Sequence, residues 1–139
     1  MALREKTAWI NAISLLICFG AYFGSIASGA VPHRGPSTLG LLVACVVALV
    51  VLQIVLHVLA AALSAREDSR SPKDERERLI QGRSHSVGYY VLVVLVLMLG
   101  VPFHLGHPAG DLMNFALLAV VVAELAVASA QIVMFRRGI

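Results

Sequence analysis

The stretch REDSRSPKDERERLIQGRSH, residues 66–85, decides the fold, because it holds eleven of the nineteen Asp, Glu, Lys and Arg residues in the 139-residue chain. Long apolar runs lie on both sides of it. Charged side chains are stable in water, whereas apolar runs of this length are stable in lipid. The stretch is therefore predicted to be a polar connection between two pairs of membrane-spanning segments.

The composition supports the same interpretation. The chain is 59% hydrophobic and 14% charged, whereas a soluble domain is about 45–50% apolar and about 25% charged. A spanning helix needs about 20 mostly apolar residues. The pattern predicts one all-α membrane domain over residues 1–139, a four-helix transmembrane bundle made of two antiparallel hairpins. Its helices are expected at about 8–31, 38–65, 86–104 and 111–135, with the charged connection at 66–85.

The basic residues predict the orientation. With four spans, ten of the eleven Lys and Arg residues fall on one side of the membrane, and only Arg34 falls on the other. Basic residues are enriched on the cytoplasmic side. Both termini and the charged connection are therefore expected to be cytoplasmic.

Glu124 is the only acidic residue in the middle of an apolar run. A charged side chain at that depth costs about 2.5–3.5 kcal/mol on insertion scales, so Glu124 is expected to face other helices. Counting residues from the helix starts puts Gln53 at a similar depth, with His57 and Gln131 deeper on the same two helices. The sequence therefore predicts a membrane-embedded polar cluster of Glu124, Gln53, His57 and Gln131.

Two roles for this cluster stay open. It is either a polar clamp, in which each hydrogen bond contributes roughly 0.6 kcal/mol, or a protonation site coupled to a substrate or a change of shape.

Gly20, Gly24 and Ser28 lie at four-residue spacing in the first span. Small residues at this spacing let another helix backbone approach closely. The stripe predicts helix packing, either within the bundle or between subunits, and a homo-oligomer is expected.

Four residues near the opposite side are possible zinc ligands or pH sensors, namely His33, His104, His107 and Asp111. Their spacing is loose and needs two loops to meet, so solvated histidines at the membrane surface are the simpler interpretation. No metal site and no cofactor are expected.

The charged connection is itself a candidate interaction surface. Ser71 and Pro72 are typical of a helix start, and Asp74, Glu75, Arg76 and Arg78 follow on that helix. Two interpretations stay open: the helix is a solvated connection whose arginines contact anionic lipid, or these four residues form a docking surface for a cytoplasmic protein. Residues 66–83 carry six basic and five acidic residues, which argues against direct nucleic-acid binding, because that favours a purely basic surface.

The segment DERERLI (74–80), followed by Ser84 and by Gly88-Tyr89-Tyr90, resembles a group of small four-span bacterial membrane proteins of unknown function with an Asp-Glu-Arg motif in the central cytoplasmic loop. The opening segment REKTAWI (4–10) also resembles this group of proteins. The resemblance implies a bacterial inner-membrane location and singles out Asp74, Glu75 and Arg76. Small multidrug exporters are also four-span proteins with a membrane carboxylate, but theirs lies in the first helix, whereas here the acid lies in the fourth.

Two functions follow as hypotheses. The first is a non-enzymatic interaction or regulatory protein that acts through the cytoplasmic loop. The second is a proton-coupled transporter of small molecules that uses Glu124. A transporter requires a water-accessible cavity that reaches Glu124, whereas an interaction protein requires an ordered, exposed loop helix. No pattern typical of an enzyme is visible, so enzymatic activity is not expected.

Overall fold

The computed structural model describes residues 3–32, 35–64 and 75–137, apart from the side chains of Leu3, Arg4, Leu63, Ser64 and Arg76. This part of the chain is helical and contains no strand. The helices are α1 (Leu3–Ala27), α2 (Pro36–Ser64), α3 (Glu75–Met98), α4 (Gly100–His104) and α5 (Ala109–Arg137).

Four spans in this structure are long and apolar enough to cross a membrane: Glu5–Ala27, Pro36–Ala62, Glu77–His104 and Ala109–Arg137. The predicted all-α fold with four membrane-long helices is confirmed. On α2 the large apolar side chains that remain exposed form a broad face, with Val43, Val47, Val50, Ile54 and Val58 along it and Val51, Val55 and Leu59 beside them. A helix that is apolar all round is stable only where its surroundings are apolar. The fold is that of a small multi-pass membrane protein.

The helices pack in the order α2, α1, α5, α3. In the described residues, α1 packs on α2 and α5, while α5 also packs on α3; α1 and α3 do not pack on each other. Glu5 meets Arg136, and Tyr22 meets Asn114, so α1 and α5 are antiparallel. The chain therefore forms two helical hairpins, α1–α2 and α3–α5, which meet along α1 and α5.

The largest apolar cluster lies where α1 contacts its two neighbours. Its buried members are Leu15, Phe19, Tyr22, Ile26, Cys45 and Val121. In lipid, burial of apolar surface does not favour helix association, so van der Waals fit and hydrogen bonds hold such a contact together. At one end the Tyr22 hydroxyl donates a 2.9 Å hydrogen bond to Asn114 Oδ1 on α5.

Helices α3 and α5 approach each other closely at Gly88. A Cβ on Gly88 would overlap Val127 Cγ2 and lie 3.3 Å from the Ala123 carbonyl oxygen. Ser84 and Gly88 stand four residues apart on α3 and are both buried. The small-residue contact within the chain is therefore at Ser84 and Gly88.

The predicted small-residue stripe lies elsewhere. Gly20, Gly24 and Ser28 are exposed on α1, and a Cβ on either glycine would meet nothing within 4 Å. The hypothesis that this stripe packs inside the bundle is wrong for the described part of the chain, because spacing identifies a smooth surface but not its partner. Contact between subunits stays a prediction.

Two helix boundaries differ from the sequence-based expectation. The third helix begins at Glu75, inside the predicted connection 66–85, and runs without a break through Gly82; residues 65–74 lie outside the described part. It ends at Met98, because Pro102 lacks the N–H that would bond to the Met98 carbonyl. The short α4 follows and leads to a turn in which Gly106 has φ +82°.

Replacing Gly88 by Ala should destabilise the protein by about 1–3 kcal/mol, because the added methyl group overpacks a close helix contact. The matched control is Gly20→Ala, which adds the same methyl group to an open surface. The free energy of unfolding of both variants can be measured in detergent micelles by circular dichroism. Equal stabilities for the two variants would contradict the assigned α3–α5 contact.

Candidate functional site

A cavity of about 270 Å³ lies between α1 and α3, with α5 as its floor. It exists because α1 and α3 both pack on α5 and not on each other. We call it the polar cleft. Its lining residues are Thr7, Asn11, Glu77, Ile80, Gln81, His85, Glu124, Val127, Ala128, Gln131 and Phe135.

The polar cleft runs from one end of the helices to the middle of the membrane span. Phe135 and Glu77 lie near the end that carries Arg136 and Arg137. Glu124 lies eleven residues before Phe135 on α5, which is about 16 Å deeper at 1.5 Å per residue. The cleft therefore connects the basic end of the protein with the carboxylate in the middle of α5.

Glu124 has no hydrogen bond or ion pair with any described residue, and its side chain is exposed to the cleft. Carboxylates in a membrane span are normally paired or face a water-filled cavity. The open cleft supplies the second of these environments. A clamp, by contrast, would need a hydrogen bond from Glu124 to another helix.

The predicted cluster around Glu124 is not assembled as expected. Gln131 lies in the polar cleft with Glu124, but Gln53 and His57 lie on α2, which packs only on α1 in the described part of the chain. The His57 Nδ1 atom lies 2.7 Å from the Gln53 carbonyl oxygen of the same helix. Counting residues gave comparable depths but could not tell that α1 separates α2 from α5.

Hydrogen bonds hold the α3 wall of the cleft against its floor. Gln131 Nε2 donates to Ser84 Oγ at 3.2 Å, and Ser84 Oγ donates to the Gln81 carbonyl oxygen at 2.9 Å. Ser84 is fully buried. Gln131 therefore acts as a link between helices, which is the role that the clamp hypothesis assigned to the whole cluster.

The α1 wall carries a row of polar side chains at helical spacing, Thr7, Asn11 and Ser14. Ser14 is fully buried one turn below Asn11, and its hydroxyl has no hydrogen-bond partner in the described structure. Two contacts fix how α1 lies along α5: Glu5 with Arg136 near one end and Tyr22 with Asn114 near the other. Counting residues between these contacts places Ser14 at roughly the same depth as Glu124. The polar surface of α1 thus reaches the same level as the carboxylate on α5.

Basic side chains surround the mouth of the cleft. Arg136 Nε lies 3.4 Å from Glu5 Oε1, and its guanidinium carbon lies 5.5 Å from the centre of the Trp9 ring. This ion pair and cation–π contact join α1 to α5 beside the mouth. The other basic residues with described side chains at this end are Lys6, Arg78, Arg83 and Arg137.

The predicted interaction residues lie at the start of α3. Glu75 and Arg78 are exposed there; Arg76 lies on the helix, with a side chain outside the described set, and Asp74 lies outside the described residues. Leu79, beside them, is 59% exposed. The opposite face of the same turns, Glu77 and Gln81, lines the polar cleft.

The predicted ligands at the other end are not brought together. His107 Nδ1 lies 3.9 Å from Asp111 Oδ2, while the His104 ring packs against Phe103. His33 lies outside the described residues, and those that are described contain no group of three side chains able to hold a metal ion. Asp111 lies in the first turn of α5.

Sequence reasoning missed most of the cleft. His85 had no assigned role, Glu77 was counted as part of a solvated connection, and Asn11 and Gln81 were not singled out. A signal was present, because Glu77, Gln81 and His85 repeat every four residues and so share one helix face. It became visible only once the helix was known to begin at Glu75.

Comparison with known proteins gives no assignment: the sequence matches no family model, and neither the curated proteins nor the solved structures contain a significant match.

Replacing Glu124 by Gln should change the free energy of unfolding by less than about 0.5 kcal/mol, because the carboxylate has no partner to lose. Replacing Gln131 by Leu should cost roughly 0.6 kcal/mol or more, since the hydrogen bond to buried Ser84 disappears. Chemical denaturation in micelles measures both values. A large loss of stability in the Glu124→Gln variant would instead support the clamp.

Proposed function

We propose that this protein is a proton-coupled transporter of small molecules and that Glu124 carries the proton. The observation that supports the proposal is the cleft that reaches Glu124 from the basic end of the helices. This is the feature that distinguishes a transporter from an interaction protein with a closed core. The carboxylate is accessible, lies midway along α5 and has no partner within the described chain.

The proton and the solute would compete for the same carboxylate. The other titratable residues among the described lining are Glu77 and His85 on α3, and the described lining residues of α1 are the neutral Thr7 and Asn11. Solute binding that favours the ionised form therefore releases a proton, and this exchange provides the coupling.

The two ends of the α1–α5 contact differ, as alternating access requires. Towards the basic end the cleft is open beside Glu77, whereas at the other end the Tyr22–Asn114 hydrogen bond and buried Phe19 close the contact. In this proposal, the described arrangement is the state of the transporter that is open at the basic end. A second state would separate Tyr22 from Asn114 and close the helices around Glu77.

The basic end is proposed to face the cytoplasm of a bacterial cell. The described side chains of Lys6, Arg78, Arg83, Arg136 and Arg137 all lie at that end of the helices. Because basic residues favour the cytoplasmic side, the cleft would open inward.

Wild-type protein in liposomes with an internal pH dye should collapse an imposed pH gradient when a transported solute is added from a panel of neutral, anionic and cationic compounds. The Glu124→Gln variant should lose this response, because an amide cannot exchange a proton at the pH of the assay. Gln53→Leu is the matched control, since Gln53 lies on α2 outside the cleft. A response that survives in the Glu124→Gln variant would refute the assigned proton site.

One observation favours a second candidate function, that of an interaction or regulatory protein. The outer face of the first turns of α3 presents Glu75, Arg78 and the 59% exposed Leu79 on an ordered helix. Arg is enriched among the residues that dominate binding at protein interfaces, and Arg78 beside the exposed Leu79 offers such an anchor. Occupancy of the cleft could be transmitted to such a partner, because Glu77 and Gln81 belong to the same helical turns.

A photo-reactive amino acid placed at Leu79 should give a discrete cross-linked species with a second protein in intact cells. Val94 on the same helix is the matched control, because it is 56% exposed yet lies in the apolar part of the span and so should contact lipid. Immunoblotting after irradiation compares the two positions. Identical patterns at Leu79 and Val94 would argue against a partner on this surface.

A further inference from the structure

The charges that line the polar cleft are of one sign. Glu77 and Glu124 contribute two carboxylates, His85 contributes an imidazole, and the remaining polar lining residues are neutral: Thr7, Asn11, Gln81 and Gln131. Among the described residues that line the cleft there is no Lys or Arg, although five described basic side chains lie at the same end of the protein. The interior of the cleft is therefore acidic within a basic surrounding.

We propose that the polar cleft binds a small organic cation with one positive charge, which pairs with Glu124. This inference rests on the proposed function and adds the class of solute to it. A cation supplies the partner that Glu124 lacks in the described structure. A neutral solute would leave the carboxylate unpaired, and an anion would be repelled by both acids.

The apolar part of the lining indicates an organic ion. Ile80, Val127 and Ala128 form an apolar surface between the two carboxylates, and Phe135 places an aromatic ring near the mouth. An alkylammonium group can contact such surfaces and also bind over an aromatic face. A dehydrated metal ion would require several converging ligands, and the described side chains contain no such group.

The size of the cleft limits the solute. A water molecule occupies about 30 Å³ of liquid, so a volume of about 270 Å³ holds on the order of nine waters. A compact ammonium compound fits this space.

The basic residues at the mouth do not oppose binding inside the cleft. Lys6, Arg78 and Arg83 are exposed, and charges in water are screened over about 8 Å at physiological salt. Glu124 lies about 16 Å deeper than Phe135, between helices, where screening is weak. The acidic interior therefore determines which solute is stable there.

The test uses the full chain in detergent micelles and three compounds of similar shape. Choline is the cation, 3,3-dimethylbutan-1-ol is its uncharged analogue, and 3,3-dimethylbutanoate is the anion. Isothermal titration calorimetry at pH 8 should show choline binding at least about tenfold more tightly than the alcohol, with no binding of the anion. This comparison needs no variant, so it does not depend on how a substitution affects folding.

Variants then locate the site. Glu124→Gln should weaken choline binding by about tenfold or more, Glu77→Gln should weaken it less, and Gln53→Leu should leave it unchanged. Equal binding of the alcohol and choline, preference for the anion, or no binding by any of the three would overturn the inference. So would choline binding that is unaffected by Glu124→Gln.

The liposome assay separates this inference from the proposed function. If a neutral or anionic solute collapses the pH gradient in the wild type and fails with Glu124→Gln, transport stands and the cation assignment falls. If choline binds as described but no solute collapses the gradient, the cation site is supported and the proposed transport is refuted.

Discussion

The packing of α5 between α1 and α3 is the contact on which the rest of the structure depends. On one side, Gly88 allows the α3 backbone to approach Val127 so closely that a methyl group would not fit. On the other side, α1 contributes an apolar cluster with Val121, together with the hydrogen bond from Tyr22 to Asn114. Because α1 and α3 both pack on α5 and not on each other, a cleft remains above α5.

The position of Glu124 gives this cleft its chemical character. A carboxylate midway along a membrane span is stable only with a partner, with a proton or in contact with water. The described residues give it no partner, so the remaining alternatives are protonation and solvation through the cleft. Gln131, one of the residues grouped with Glu124 by its depth, has the different role of linking α3 to α5 through Ser84. Structural and chemical roles are thus divided between two polar residues of the same helix.

The helix α3 connects the two functions under consideration. Its first turns present Glu77 and Gln81 to the cleft and Arg78 and Leu79 to the outside. A ligand that contacts the inner face would act on a rigid element whose outer face is free to meet another protein. Transport and signalling through this helix are therefore physically compatible, and they differ in whether the second state of the protein releases the solute on the other side.

The sequence by itself determined the solvation of the chain: four helices in lipid, one strongly charged end and a single acid in mid-span. Each of these depends on the transfer free energy of a continuous segment, which can be summed along the chain. It predicted the importance of Glu124 but grouped it with Gln53 and His57, and it assigned the close helix contact to Gly20 and Gly24. The tertiary structure alone decided which helices are neighbours, and so placed Asn11, Glu77 and His85 around Glu124 and the tight contact at Gly88. The reason is that lipid solvates every apolar helix face almost equally, so the choice of neighbour depends on the local fit of side chains, which hydropathy does not encode.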